Sequence, residues 1–110
     1  MGMYRVFAGS DGESHIEEMS LEAHPELGAL TNLSEVQIRQ FDGSRLMDFH
    51  PLPERRLFIH LDGEVEITVS DGSKQLFRAG DIRFMEDVTG RGHFHRDLSP
   101  SSAVYVVLTD

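Results

Sequence analysis

Residues 55–69, Arg55-Arg56-Leu57-Phe58-Ile59-His60-Leu61-Asp62-Gly63-Glu64-Val65-Glu66-Ile67-Thr68-Val69, decide the fold. Two runs rich in Ile, Val and Phe, each alternating along its length, meet at Asp62-Gly63, a pair that favours the tight turn of a β-hairpin. Asp71-Gly72 ends the second run and turns the chain again. The pattern predicts antiparallel β structure. Two turn geometries would present opposite faces to the core. A two-residue loop puts Arg56, Phe58 and His60 on the face of Val65, Ile67 and Val69. A three-residue turn with Gly63 as a left-handed bulge puts Leu57 and Ile59 there instead. Alternation favours the second geometry, because it separates an apolar face from a polar one.

The same grammar extends outward. Residues 3–8 read as a short strand before the turn Gly9-Ser10-Asp11-Gly12, residues 14–21 alternate only loosely, and His24-Pro25-Glu26-Leu27-Gly28 reads as a loop. Residues 34–41, 45–50 and 81–86 read as strands, with Pro51 and Pro53 terminating the second of them, and Gln75-Leu76-Phe77-Arg78 and the pair Ala79-Gly80 precede the third. Gly90-Arg91-Gly92 delivers His93-Phe94-His95, and residues 103–108 form an apolar run typical of a strand buried on both faces. No segment keeps a 3.6-residue period over three turns, and there are no repeats or linkers. Short strands joined by tight turns predict a sandwich or small barrel.

A length of 110 residues suits one domain with a real core. The absence of cysteine removes disulfides, thiolate metal sites and cysteine nucleophiles. No stretch resembles a signal peptide or a membrane span, so a cytoplasmic protein is the expectation. The formal charge is −9, from 19 acidic against 10 basic residues, which argues against nucleic acid or anionic membrane as partner. Every basic residue except Lys74 is arginine, the side chain suited to bidentate carboxylate binding.

The order of features resembles the cupin superfamily. Residues 50–69 are similar to the first cupin motif, with a histidine-bearing strand and the glycine at Gly63, and Ala79-Gly80-Asp81 through His93 is similar to the second. His50-Pro51-Leu52-Pro53, Arg55-Arg56, Gly80-Asp81 and residues 86–93 are closer still to a group of small single-domain bacterial cupins without an assigned reaction. The resemblance implies an all-β, double-stranded β-helix of the jelly-roll type spanning residues 1–110, with an N-terminal arm at 1–33 and a barrel core at 34–110. It also implies a homodimer.

A metal-binding cupin supplies His-x-His, a following glutamate and a later histidine. Here His50 occupies the first position, Leu52 the second, Arg56 the glutamate position and His93 the last. A guanidinium cannot ligate a cation and repels one nearby. Arg56 among His50, His60 and His93 suits instead a small anionic molecule held by charge-assisted hydrogen bonds. A metal stays open as an alternative. His93 and His95 would share one face of a strand, and His50, His60 or Glu54 could complete a site for iron, zinc, nickel or copper.

Asp87 ends a strand six residues before His93, where it could orient that histidine. His50, His93 and Asp87 are therefore the candidate catalytic groups. His15 is expected near the barrel mouth and His24 in solvent. Gly90-Arg91-Gly92 is a turn rather than a phosphate cradle, since no helix follows it. There is no Gly-x-Ser-x-Gly. Three functions remain: an anion-binding pocket protein or acid/base catalyst, a metal-dependent oxygenase, isomerase or lyase, and a structural or regulatory barrel filled by Phe58, Phe84 and Phe94.

Overall fold

The computed structural model describes residues 1–109. Among them the chain forms ten strands: β1 (Met3–Ala8), β2 (Ser14–Glu18), β3 (Leu33–Phe41), β4 (Leu46–His50), β5 (Arg56–Asp62), β6 (Val65–Thr68), β7 (Lys74–Phe77), β8 (Ile82–Glu86), β9 (His93–Asp97) and β10 (Ser101–Leu108). Pro25–Gly28, read as a loop from sequence, makes one turn of 3₁₀ helix. Its proline sits at the first turn, where a missing N–H costs nothing. A six-stranded sheet in the order β2-β1-β8-β5-β10-β3 faces a four-stranded sheet in the order β4-β9-β6-β7, the jelly-roll arrangement of a double-stranded β-helix. Residues 1–33 supply β1 and β2 to the larger sheet, with β1 running parallel to β8.

The central hairpin is corrected by the structure. β5 pairs with β8 and β10, whereas β6 pairs with β7 and β9, so Asp62-Gly63 carries the chain from one sheet to the other. Gly63 has φ of 74°, and a side chain there would run into Pro100 and Ser101. The corner needs glycine for both its backbone conformation and this close approach. Asp71-Gly72 does close a hairpin, between β6 and β7, with Gly72 N–H donating to the Val69 carbonyl at 3.0 Å.

The inward face is also the one alternation disfavoured. Phe58 and His60 are buried between the sheets, and Val65, Ile67 and Val69 face them. Leu57 and Phe84 are buried on the opposite side of the larger sheet, where Met19, Leu27 and Leu30 cover them. Because both faces of β5 are covered, both are apolar, and alternation loses its power to choose. Phe84 therefore does not fill the interior. Val6, Val65, Ile67, Val69 and Phe77 close one end of the inter-sheet space, each at most 1% exposed. Burying a side chain of this kind contributes about 1.5–3 kcal/mol.

Candidate functional site

The other end of the inter-sheet space holds a cavity of about 160 Å³. The larger sheet contributes Arg39 and Phe41 from β3, Arg56 and Phe58 from β5, Arg83 and Met85 from β8, and Tyr105 from β10. Facing them are Met47, His93 and His95 of the smaller sheet, with Arg45 just before β4 and His50, Leu52 and Pro53 at and beyond its end. Strand alternation explains the inward set: Arg83 and Met85 point into the space, while Ile82 and Phe84 point out.

Arg83 is the residue that sequence reading missed. Its side chain is buried, and its only hydrogen bond among the described residues runs from Nε to His60 Nε2 at 3.2 Å. No carboxylate pairs with it there. Its guanidinium lies 4.2 Å from the centre of the Phe58 ring and 5.4 Å from that of Phe77. Burial, reinforced by the charge of Arg45, pushes its pKa down to about 9, so it stays a cation at neutral pH. The sequence signal was faint: in Asp81-Ile82-Arg83-Phe84-Met85, Arg83 shares its face with apolar Met85 but also with Asp81, and Ile82 and Phe84 make the opposite face look like the buried one.

His60 lies behind Arg83 rather than on the cavity wall. Its ring stacks on Phe77 at 5.5 Å, and burial together with the Arg83 charge lowers its pKa to about 3. A neutral imidazole whose Nε2 accepts from Arg83 follows. His95, also buried, donates from Nε2 to Asp97 Oδ1 at 2.7 Å, and burial followed by the Arg83 charge lowers it to about 4. Burial alone would raise Asp97. Hydrogen bonds from Arg45 and His95 outweigh that and hold its carboxyl below the usual range. Arg45 Nε reaches Asp97 Oδ2 at 2.9 Å, and Arg56 pairs with Glu54 at 3.0 Å. Of the four guanidinium groups on the cavity, Arg83 and Arg39 make no ion pair among the described residues.

His93 is held by Asp87, as the six-residue spacing suggested. Its Nδ1 donates to Asp87 Oδ2 at 2.7 Å, and the Ser14 hydroxyl donates to the same oxygen at 2.8 Å. Asp87 is fully buried, with Oδ1 lacking a hydrogen-bond partner among the described residues. His93 Nε2 is thereby the nitrogen left for the cavity. His50 lies beside it, ring centres 4.8 Å apart, with Nδ1 donating to the Asp48 carbonyl at 2.7 Å. Gly92, with φ of 82°, lets the backbone of His50 and Pro51 pass where a side chain would stand. His15 pairs with Asp11 on the surface and does not line the cavity, and His24 pairs with Glu26. Phe94 packs on Phe49 rather than lining the cavity.

These residues do not fit a transition metal. His50, His93 and His95 share the cavity, but Leu52 is apolar, Arg56 is cationic, and Nε2 of His95 is committed to Asp97. Among the described residues no group of three or more histidines and carboxylates is placed to hold a metal ion. Four guanidinium groups on the same walls oppose a bound cation.

The fold is that of the cupins. No family model and no curated protein matches the sequence, and the likeness is seen in solved structures. A cupin superfamily protein from Desulfitobacterium hafniense is 17% identical, with a TM-score of 0.54 over 74% of this chain and 72% of that one. A predicted oxalate decarboxylase from Thermotoga maritima is 14% identical, with a TM-score of 0.50 over 99% and 94%. A conserved protein of unknown function from Streptococcus pyogenes is 19% identical, with a TM-score of 0.53 over 68% of this chain and 63% of that one, so the match spans less than two thirds of the streptococcal chain. Among the described residues no helix is long and apolar enough to cross a membrane.

Proposed function

We propose that the protein binds a small anionic metabolite in this cavity, with Arg83 as the principal anchor. The observation that carries the reading is a buried guanidinium that makes no ion pair among the described residues, Asp97 and Asp87 acting on it only from a distance. Taking a cation out of water costs several kcal/mol unless a counter-charge meets it, and the cavity is where one can arrive. Arg56, His50 and His93 surround the same space. A cavity of about 160 Å³ lies below the range of drug-sized pockets and suits a small ligand. Titration of the protein with acetate, succinate and inorganic phosphate tests this calorimetrically. At least one should bind, and Arg83→Met should weaken it about a hundredfold while an unchanged amide NMR spectrum reports an intact fold. Arg83→Lys, which keeps the charge, should retain part of the affinity. Absence of binding by all three anions, or equal binding by Arg83→Met, would overturn the reading.

The Asp87–His93 pair favours a second reading, in which the anchored anion is also a substrate. A carboxylate held on Arg83 would present its neighbouring carbon to His93 Nε2. That nitrogen would accept the carbon-bound proton, the electron pair would move into the carboxylate, and Arg83 would stabilise the charge that develops there. Solvent deuterium should then enter the bound acid at that carbon, at a rate lowered at least a hundredfold in His93→Gln. Proton NMR in D₂O reads this directly, and no exchange in the wild type would leave a binding protein without catalysis.

A further inference from the structure

Two guanidinium groups of the cavity make no ion pair among the described residues, and they stand at its two ends. Arg83 is buried at the floor on β8, and Arg39 is exposed at the rim on β3. Strands β5 and β10 separate them in the sheet, which sets the two backbones ~14 Å apart at ~4.8 Å per strand. Two aromatic rings bridge the gap. Arg83, Phe58 and Tyr105 are in register across β8, β5 and β10, and Phe58 meets Tyr105 edge to face at 4.9 Å. The Arg39 guanidinium reaches inward to 4.9 Å from the Tyr105 ring. Arg45 and Arg56 also line the cavity, but Asp97 and Glu54 already answer their charges.

Resting on the anion-binding reading above, we propose that the ligand is a short dicarboxylate, one carboxylate on Arg83 and the other on Arg39, with its carbon chain lying along Phe58 and Tyr105. An apolar bridge between two cationic ends is poorly matched to a monocarboxylate, which would leave Arg39 unanswered. It is equally ill suited to a compact anion such as phosphate, which cannot reach both ends.

Calorimetric titration with succinate, glutarate and adipate, beside butyrate, pentanoate and hexanoate, tests the proposal. Each diacid should bind about tenfold more tightly than the monoacid of equal carbon number at its best length. Arg39→Gln should erase that margin while leaving monoacid affinity within about twofold. Arg39 is exposed, so this variant keeps the fold. Equal affinity for diacids and monoacids would overturn the dicarboxylate assignment while leaving anion binding by Arg83 intact. So would an equal loss of both classes in Arg39→Gln. If neither class binds, the dicarboxylate assignment falls, and if inorganic phosphate also fails to bind, the anion-binding reading falls with it.

Discussion

The two ends of the space between the sheets are built from the same two sheets and do opposite things. At one end β6 and β7 bring Val65, Ile67 and Phe77 inward, and the interior is apolar and closed. At the other β8, β9 and β5 bring Arg83, His93, His95 and Arg56 inward, and the interior is open and cationic. Ile67 and Arg83 are both almost wholly buried, at 0% and 3% exposure. Burial alone therefore does not separate residues that hold this fold from residues that use it. What separates them is whether the buried group is satisfied by its neighbours.

Acid should have the largest effect, through one imidazole on the cavity wall and one packed behind it against Phe77. His60 and His95 have folded-state pKa values of about 3 and about 4, below the ordinary 6.5. The unfolded chain consequently binds more protons across that window. Their contribution to stability is full above pH 6.5 and is lost as the pH falls towards the folded values. About 6 kcal/mol should be gone at pH 4, where the His60 imidazole is still mostly neutral and that of His95 about half protonated. Urea midpoints measured at pH 7 and pH 4 check this, and equal midpoints would mean that these imidazoles are not buried and neutral.

A pair of substitutions sharpens the comparison at fixed pH. Ile67→Ala empties a site with no polar compensation and should cost about 3 kcal/mol. Arg83→Met removes a buried charge whose only hydrogen-bond partner among the described residues is a neutral imidazole, and should shift stability by about 1 kcal/mol or less, in the stabilising direction. Denaturant melts of both variants at pH 7 give the two values. A loss at Arg83 as large as that at Ile67 would make the arginine a structural element rather than an anchor.

Most of the strands were legible in the sequence, because turn residues and alternation mark strands locally. Which strands pair was less so. Asp62-Gly63 is a strong local hairpin signal, yet it turns a corner between sheets because Pro100 and Ser101 pack against Gly63 from a distant part of the chain. Local chemistry asks for a turn and cannot say which sheet follows it. The cavity residues divide in the same way. His50, Arg56 and His93 stand out through their place in the two motifs, and Asp87 through its spacing to His93. Arg83 carries no motif, and its importance comes from the missing carboxylate, a fact of three-dimensional neighbourhood. His95, which two-residue spacing aligned with His93, proved to be occupied by Asp97.

If the proposed anion binds, the guanidinium at the cavity floor would leave the empty protein the more fragile form. A ligand that binds only the folded chain stabilises it by RT ln(1 + [L]/Kd), about 2.7 kcal/mol at a hundredfold excess over Kd. An anion that answers Arg83 would thus act on the lifetime of the chain as well as occupy it. In a cell that clears unfolded protein, abundance would follow the supply of that anion, rising when the metabolite is plentiful and falling when it is exhausted.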